Sequence, residues 1–159
     1  MEDRGSAIQE RALALSARLA ESHEAYTALL ALEREQNRLI EDSDLDGAAA
    51  KIEEKNALIA RIQEKDRLLH AENEGWQPYR EEAPNPLRDR LREQVDSLGA
   101  VMTQLLQIQS ENEEKLNAHG DVLSAKLVEL QKKKSAHKGY QQRMAGDAYQ
   151  SAKFYDKNS

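Results

Sequence analysis

Residues 29–69 read LLALEREQNRLIEDSDLDGAAAKIEEKNALIARIQEKDRLL, and two charges inside this stretch decide the fold. Glu33 belongs to the seven-spaced series Leu19, Tyr26, Glu33, Ile40, and Lys55 to the matching series Ala48, Lys55, Ile62, Leu69. Both series are otherwise apolar stripes at helical spacing. Folding the chain back at position 44 pairs Ile40 with Ala48, Glu33 with Lys55, Tyr26 with Ile62 and Leu19 with Leu69. A charge on a helical seam is costly unless it meets its opposite. The mirrored placement therefore predicts an antiparallel helical hairpin and its register, with Glu33 and Lys55 as a structural register pair rather than a proton-transfer site.

Working outward, helix 1 is expected over about 6–42, carrying Ile8, Ala12, Leu15, Leu19, Tyr26, Leu29, Leu30, Leu32, Leu39 and Ile40 on one face. Ser43 followed by Asp46 reads as a cap for helix 2, which is expected over 44–71 with Leu45, Ile52, Ile59, Ile62 and Leu69 on its seam. All three prolines fall in GWQPYREEAPNP, residues 75–86, so 72–85 reads as a loop. Beyond it, Asn85 reads as the cap and Pro86 as the first residue of a third helix. Two series follow: Leu91, Leu98, Leu105, Asn112, His119, and Val95, Met102, Gln109, Leu116, Leu123, Leu130. Because the second keeps its phase across Gly120, one continuous helix over 86–135 is favoured over a break at 119–121. The polar seam residues Asn112 and His119 read as alignment devices; the second possibility is that they mark where the seam opens toward a ligand helix.

The fold class is thus all-α: an elongated antiparallel bundle of three long helices forming one domain over 1–137, followed by a flexible aromatic and basic tail over 138–159. The tail has two glycines and four of the seven aromatics, Tyr140, Tyr149, Phe154 and Tyr155. A tail that cannot bury its aromatics internally either docks on the bundle or waits for a partner.

Composition agrees with long helices. The 159 residues are 33% charged and 4% aromatic, a balance that suits narrow helical seams better than an α/β enzyme. Residues 1–82 hold 19 acids and 11 bases, a net of −8, whereas 126–159 hold three acids and eight bases, a net of +5. The acidic part argues against nucleic-acid binding, and the basic end leaves a weak handle for an acidic partner. With no cysteine there is neither a disulfide framework nor a thiolate metal site. No run approaches the roughly 20 apolar residues of a membrane span. Together these features lead to the expectation of a cytoplasmic protein without membrane insertion.

Little suggests catalysis or a cofactor. His23, His70, His119 and His137 form no HExxH or Glu-x-x-His pair. No glycine-rich phosphate loop and no Gly-x-Ser-x-Gly elbow is present. The Lys132-Lys133-Lys134 run is explained by the macrodipole at a helix C-terminus. The stripe Leu123, Leu127, Leu130 reads as core, or as a face for a partner's amphipathic helix.

The 29–69 stretch resembles the N-terminal hairpin of FlgN-type flagellar export chaperones, in which a Leu-rich helix carrying a Glu turns at an Asp-containing loop into a helix with a Lys before a Leu/Ile pair. The matching residues are Leu29, Leu30, Glu33, Leu39, Asp42, Leu45, Lys55, Leu58, Ile59 and Ile62. Later parts are similar too: ENEEKL at 111–116, a basic segment, and an end carrying Phe154, Tyr155, Asp156 and Lys157. The resemblance implies a chaperone of the flagellar type III export pathway. Such a protein binds the C-terminal helical region of hook–filament junction proteins (FlgK- and FlgL-like), prevents premature assembly and delivers them to an FlhA-like gate component. It also implies partner contacts in the C-terminal third, making Leu123, Leu127, Leu130, Tyr140, Met144, Tyr149, Phe154 and Tyr155 the candidate partner-binding residues, with Tyr140 and Tyr149 both candidates for the gate. The alternative is a structural coiled-coil assembly or spacer protein, and the long stripes also admit a homo-oligomer.

Overall fold

The computed structural model describes residues 3–119 together with 128 and 129. Within them the protein is all-α, an antiparallel bundle of three long helices: α1 (Arg4–Glu41), α2 (Leu45–Trp76) and α3 (Asn85–Ala118), with a short 3-10 helix (Gln77–Glu82) between the last two. At 1.5 Å per residue the 38 residues of α1 span about 57 Å.

Each boundary has a local cause. α1 starts at Arg4, two residues before the expected Ser6, and Asp3 caps it by accepting the Gly5 amide at 3.1 Å. The bend occupies Asp42–Asp44, and Ser43 takes a left-handed backbone with φ of 60°. Ser43 therefore turns the chain instead of capping helix 2. The cap is Asp44, whose Oδ1 accepts the Gly47 amide at 2.9 Å. A Cβ at Gly47 would stand 2.6 Å from Asp44 Oδ2, so this glycine is what lets the cap close so tightly.

The expected loop at 72–85 is mostly helical. α2 continues to Trp76, and Gln77–Glu82 winds as a 3-10 helix with Pro78 in its first turn, where a missing amide costs nothing. The extension is held by burial: Asn73, Trp76 and Ala83 are all buried, the last two in the main apolar cluster. Arg4 closes this end, pairing with Glu82 and stacking 5.0 Å over the Tyr79 ring. α3 begins one residue early: Pro84 is its N-cap, and Asn85, expected as the cap, accepts from Arg88 Nη2 at 2.6 Å instead. At the far end α3 is described to Ala118 with His119 as C-cap. The expected continuation to 135 runs into residues outside the described ones, as does the 138–159 tail; Val128 and Glu129 are helical.

α2 runs antiparallel to α1. Tyr26 Oη donates to Asp66 Oδ2 at 2.6 Å, Lys55 meets Glu33, and Gln36 Nε2 donates to the Ala48 carbonyl at 2.8 Å. These pairs are centred on the register that the mirrored spacing predicts. α3 instead runs parallel to α1, its partners lying at a near-constant offset. Ser16 and Gln94 exchange two hydrogen bonds (2.8 and 3.1 Å), and Arg34 reaches Gln104 at 2.9 Å. Both α2 and α3 pack along α1, while the backbones of α2 and α3 scarcely approach one another. α1 is thus the central helix, and its buried residues form a broad stripe from Ile8 to Ile40.

The main apolar cluster runs from Ile8 to Leu30 on α1, Leu58 to Trp76 on α2 and Leu91 to Leu105 on α3. Leu32 and Leu39, expected on the core face, are half-buried. Among the described residues, no helix is long and apolar enough to cross a membrane.

Two neighbouring positions on α1 test this packing. Leu19→Ala removes a side chain 1% exposed and should cost about 2–5 kcal/mol in urea unfolding. Ser22 is fully buried and its hydroxyl has no partner, so Ser22→Ala should be neutral or stabilise by up to about 1 kcal/mol. A loss of stability at Ser22→Ala comparable to that at Leu19→Ala would contradict the packing described.

Candidate functional site

The most distinctive chemistry in the bundle is a layer of polar side chains across all three helices. Glu33 on α1 lies on the buried face, and heptad spacing around the bend brings Lys55 of α2 opposite it. Lys55 Nζ stands 2.8 Å from Glu33 Oε1, a charge contact rather than an aligned hydrogen bond. Its aligned bond goes to Gln36 Oε1 at 2.7 Å. Gln36 lies one turn along α1 and passes the chain of bonds on to the Ala48 carbonyl.

The other Glu33 oxygen faces α3. Asn112 Nδ2 donates to Glu33 Oε2 and to the Glu33 backbone carbonyl, both at 2.8 Å. Asn112 Oδ1 accepts from Asn37 Nδ2 at 2.8 Å. Lys115, one turn further on, reaches Asn37 Oδ1 at 3.2 Å and Glu41 Oε1 at 2.7 Å. Gln36 is fully buried, Glu33 and Asn112 are 1% and 2% exposed, and Lys55 is 4% exposed. Burial this deep makes desolvation the dominant cost, and the partners on both sides are what offset it.

The layer also divides the apolar interior. Ile40, Ala48, Ala49 and Ile52 are buried but lie outside the main cluster, on the bend side of Glu33 and Lys55. Just outside the layer, Lys51 bridges Glu35 and Glu54, both at 3.0 Å. The Glu35 carboxylate first, then Glu54, holds the Lys51 ammonium above the usual lysine range. A raised lysine pKa keeps the lysine's contribution at neutral pH and loses it as pH climbs through the raised value, so on the Lys51 side this bracket loosens in alkali.

The sequence-derived residues fare differently. Glu33 and Lys55 meet as expected, and Asn112 is a seam residue that joins them. His119, expected beside it on the seam, is exposed at the α3 C-cap and aligns nothing. Gln36, Asn37 and Lys115 were not anticipated, although each lies three or four residues from Glu33 or Asn112 on the same helix face. The candidate partner-binding residues Leu123, Leu127, Leu130, Tyr140, Met144, Tyr149, Phe154 and Tyr155 all lie outside the described residues.

As to other chemistry, no group of three or more His, Asp or Glu side chains among the described residues could hold a metal ion. His23 Nε2 lies 3.1 Å from Ser97 Oγ, and His70 pairs with Glu74 at 3.1 Å, both at the surface. The arrangement around Glu33 is therefore suited to fixing helix alignment.

Charge reversal tests that role. Lys55→Glu should cost about 3–5 kcal/mol in urea unfolding, because it buries an unpaired like-charge pair. Adding Glu33→Lys should recover much of the loss, since the Asn112 amide can rotate to present Oδ1 to the new ammonium at 33 and the Gln36 amide to present Nε2 to the new carboxylate at 55. A double variant no more stable than the single one would show that the layer does not set the register. Comparison with protein-family models, with curated proteins and with solved structures finds no match for this chain.

Proposed function

We propose that this protein is a cytoplasmic export chaperone of the FlgN type. It binds the C-terminal helical region of FlgK- and FlgL-like junction proteins, keeps them from assembling early and hands them to an FlhA-like gate component. The mechanism is non-catalytic: the Leu123, Leu127 and Leu130 stripe, with the aromatic residues after it, covers an amphipathic client helix. The resemblance of residues 29–69, 111–116 and 154–157 supports this reading.

The observation that carries it is where apolar surface remains. The described helices spend their stripes on one another, leaving Leu13 and Val128 as the exposed large hydrophobics among the described residues. Val128 is helical and 45% exposed, and it falls within the Leu123–Leu130 stretch that the resemblance assigns to client binding. A chaperone that must release its client needs apolar surface kept apart from the permanent core.

The test is a calorimetric titration of the full chain with a recombinant C-terminal helical fragment of a junction protein. Binding is expected, and deletion of residues 138–159 should weaken it about tenfold or more through loss of aromatic anchors. The circular dichroism of the bundle should be largely retained. Unchanged affinity would remove the tail from the mechanism. No binding by the full chain would favour the spacer alternative.

A further inference from the structure

The last turns of α3 are attached to α1 in a different way from the rest of that helix. Through Leu105, α3 contributes Leu91, Val95, Leu98, Met102 and Leu105 to the main apolar cluster, with Ile108 packed at its edge. From Gln109 to Ala118 the one buried side chain is Asn112, and Leu116 is only half-buried. Bonds that reach α1 from this stretch include those of Asn112 to Glu33 and Asn37, and of Lys115 to Asn37 and Glu41. Gln109 Nε2, buried at the start of the stretch, has no partner. At the same level of the bundle α2 keeps apolar burial, with Ala48, Ala49 and Ile52 all enclosed.

We propose that Gln109–Ala118 is a polar strap that lifts from α1 and, being too short to hold its helix unsupported, unwinds as a unit while residues 91–105 stay docked. Lifting it uncovers amides, an ammonium and carboxylate oxygens, groups that water solvates well, and little apolar surface. Glu33 does not become an uncompensated buried charge, because Lys55 approaches it from α2 and remains in place. Detaching residues 91–105, by contrast, would expose five buried apolar side chains. Free energies of opening therefore differ sharply along one continuous helix, the condition for a separate cooperative unit. The strap stands on these contacts alone, independently of the function proposed above.

Native-state hydrogen exchange on the full chain, resolved by residue, tests the strap. Amides of the strap should exchange faster than those of 91–105, at rates similar to one another and insensitive to low urea. Asn37→Ala removes the shared partner of Asn112 and Lys115 without touching the Glu33–Lys55 pair. It should raise exchange across the whole strap by about tenfold, the effect of losing one or two net hydrogen bonds, and leave 91–105 and α2 unchanged. Two results would overturn the proposal. One is protection in the strap equal to that of 91–105. The other is a gradient rising residue by residue toward Ala118 and unaffected by Asn37→Ala, which is ordinary end fraying.

Discussion

A single carboxylate, that of Glu33, constrains the rest of this structure. It is buried where all three helices meet, and each of its oxygens is claimed by a different neighbour: Lys55 from α2, Asn112 from α3. Stripes of Leu, Ile and Ala spaced at three and four residues are nearly self-similar under a one-heptad slip, so apolar packing alone leaves several registers close in energy. A slip of that size would bring Lys55 opposite Tyr26 or Ile40 and leave two buried charges without partners. The penalty for stranding either charge is several kcal/mol, far larger than differences between one Leu–Ile pairing and another. The ion pair adds little net stability by itself. Its effect lies in making the alternatives worse.

The same constraint explains the unequal roles of the helices. α1 carries the shared carboxylate and a buried stripe broad enough for two neighbours, whereas the backbones of α2 and α3 each run beside α1 and scarcely approach one another. Glu33 is the point where both docking events are checked at once. Its backbone carbonyl also accepts from Asn112, so the alignment of α3 is tied to the main chain of α1 as well as to its side chain.

How much of this was legible in the sequence follows from contrast. Glu33, Lys55 and Asn112 stand out because each interrupts an apolar series, and an interruption can be read without coordinates. Gln36, Asn37 and Lys115 do not stand out, since on helices this rich in charge a polar side chain turned inward looks like its solvated neighbours. At Ser43 and Asn85 the residue pattern points to caps, whereas the caps are the adjacent Asp44 and Pro84. The choice there rests on one backbone dihedral, such as the φ of 60° at Ser43, which composition does not encode. The helical course of 72–82 was obscured by the prolines around it. Trp76 and Ala83 extend the apolar core past the point where residue preference alone suggests a loop.

The parallel pairing of α1 with α3 has a consequence for the order of folding. Contacts across the bend join residues as little as 12 apart, from Gln36 to Ala48, and grow outward to 40 between Tyr26 and Asp66. Such a pair of helices closes like a zipper, each contact shortening the loop for the next. Contacts between α1 and α3 join residues 70 to 79 apart at every level, so no early contact makes the next one local. Once the hairpin exists, however, α2 carries the chain back to the start of α1, and the effective loop becomes a few residues long. Low-separation contacts form sooner, so α3 arrives last, on an edge of α1 that is already aligned. During that interval the carboxylate of Glu33 is paired on one side and open on the other. Sequence separation thus favours an order in which the final helix meets an acceptor already in position.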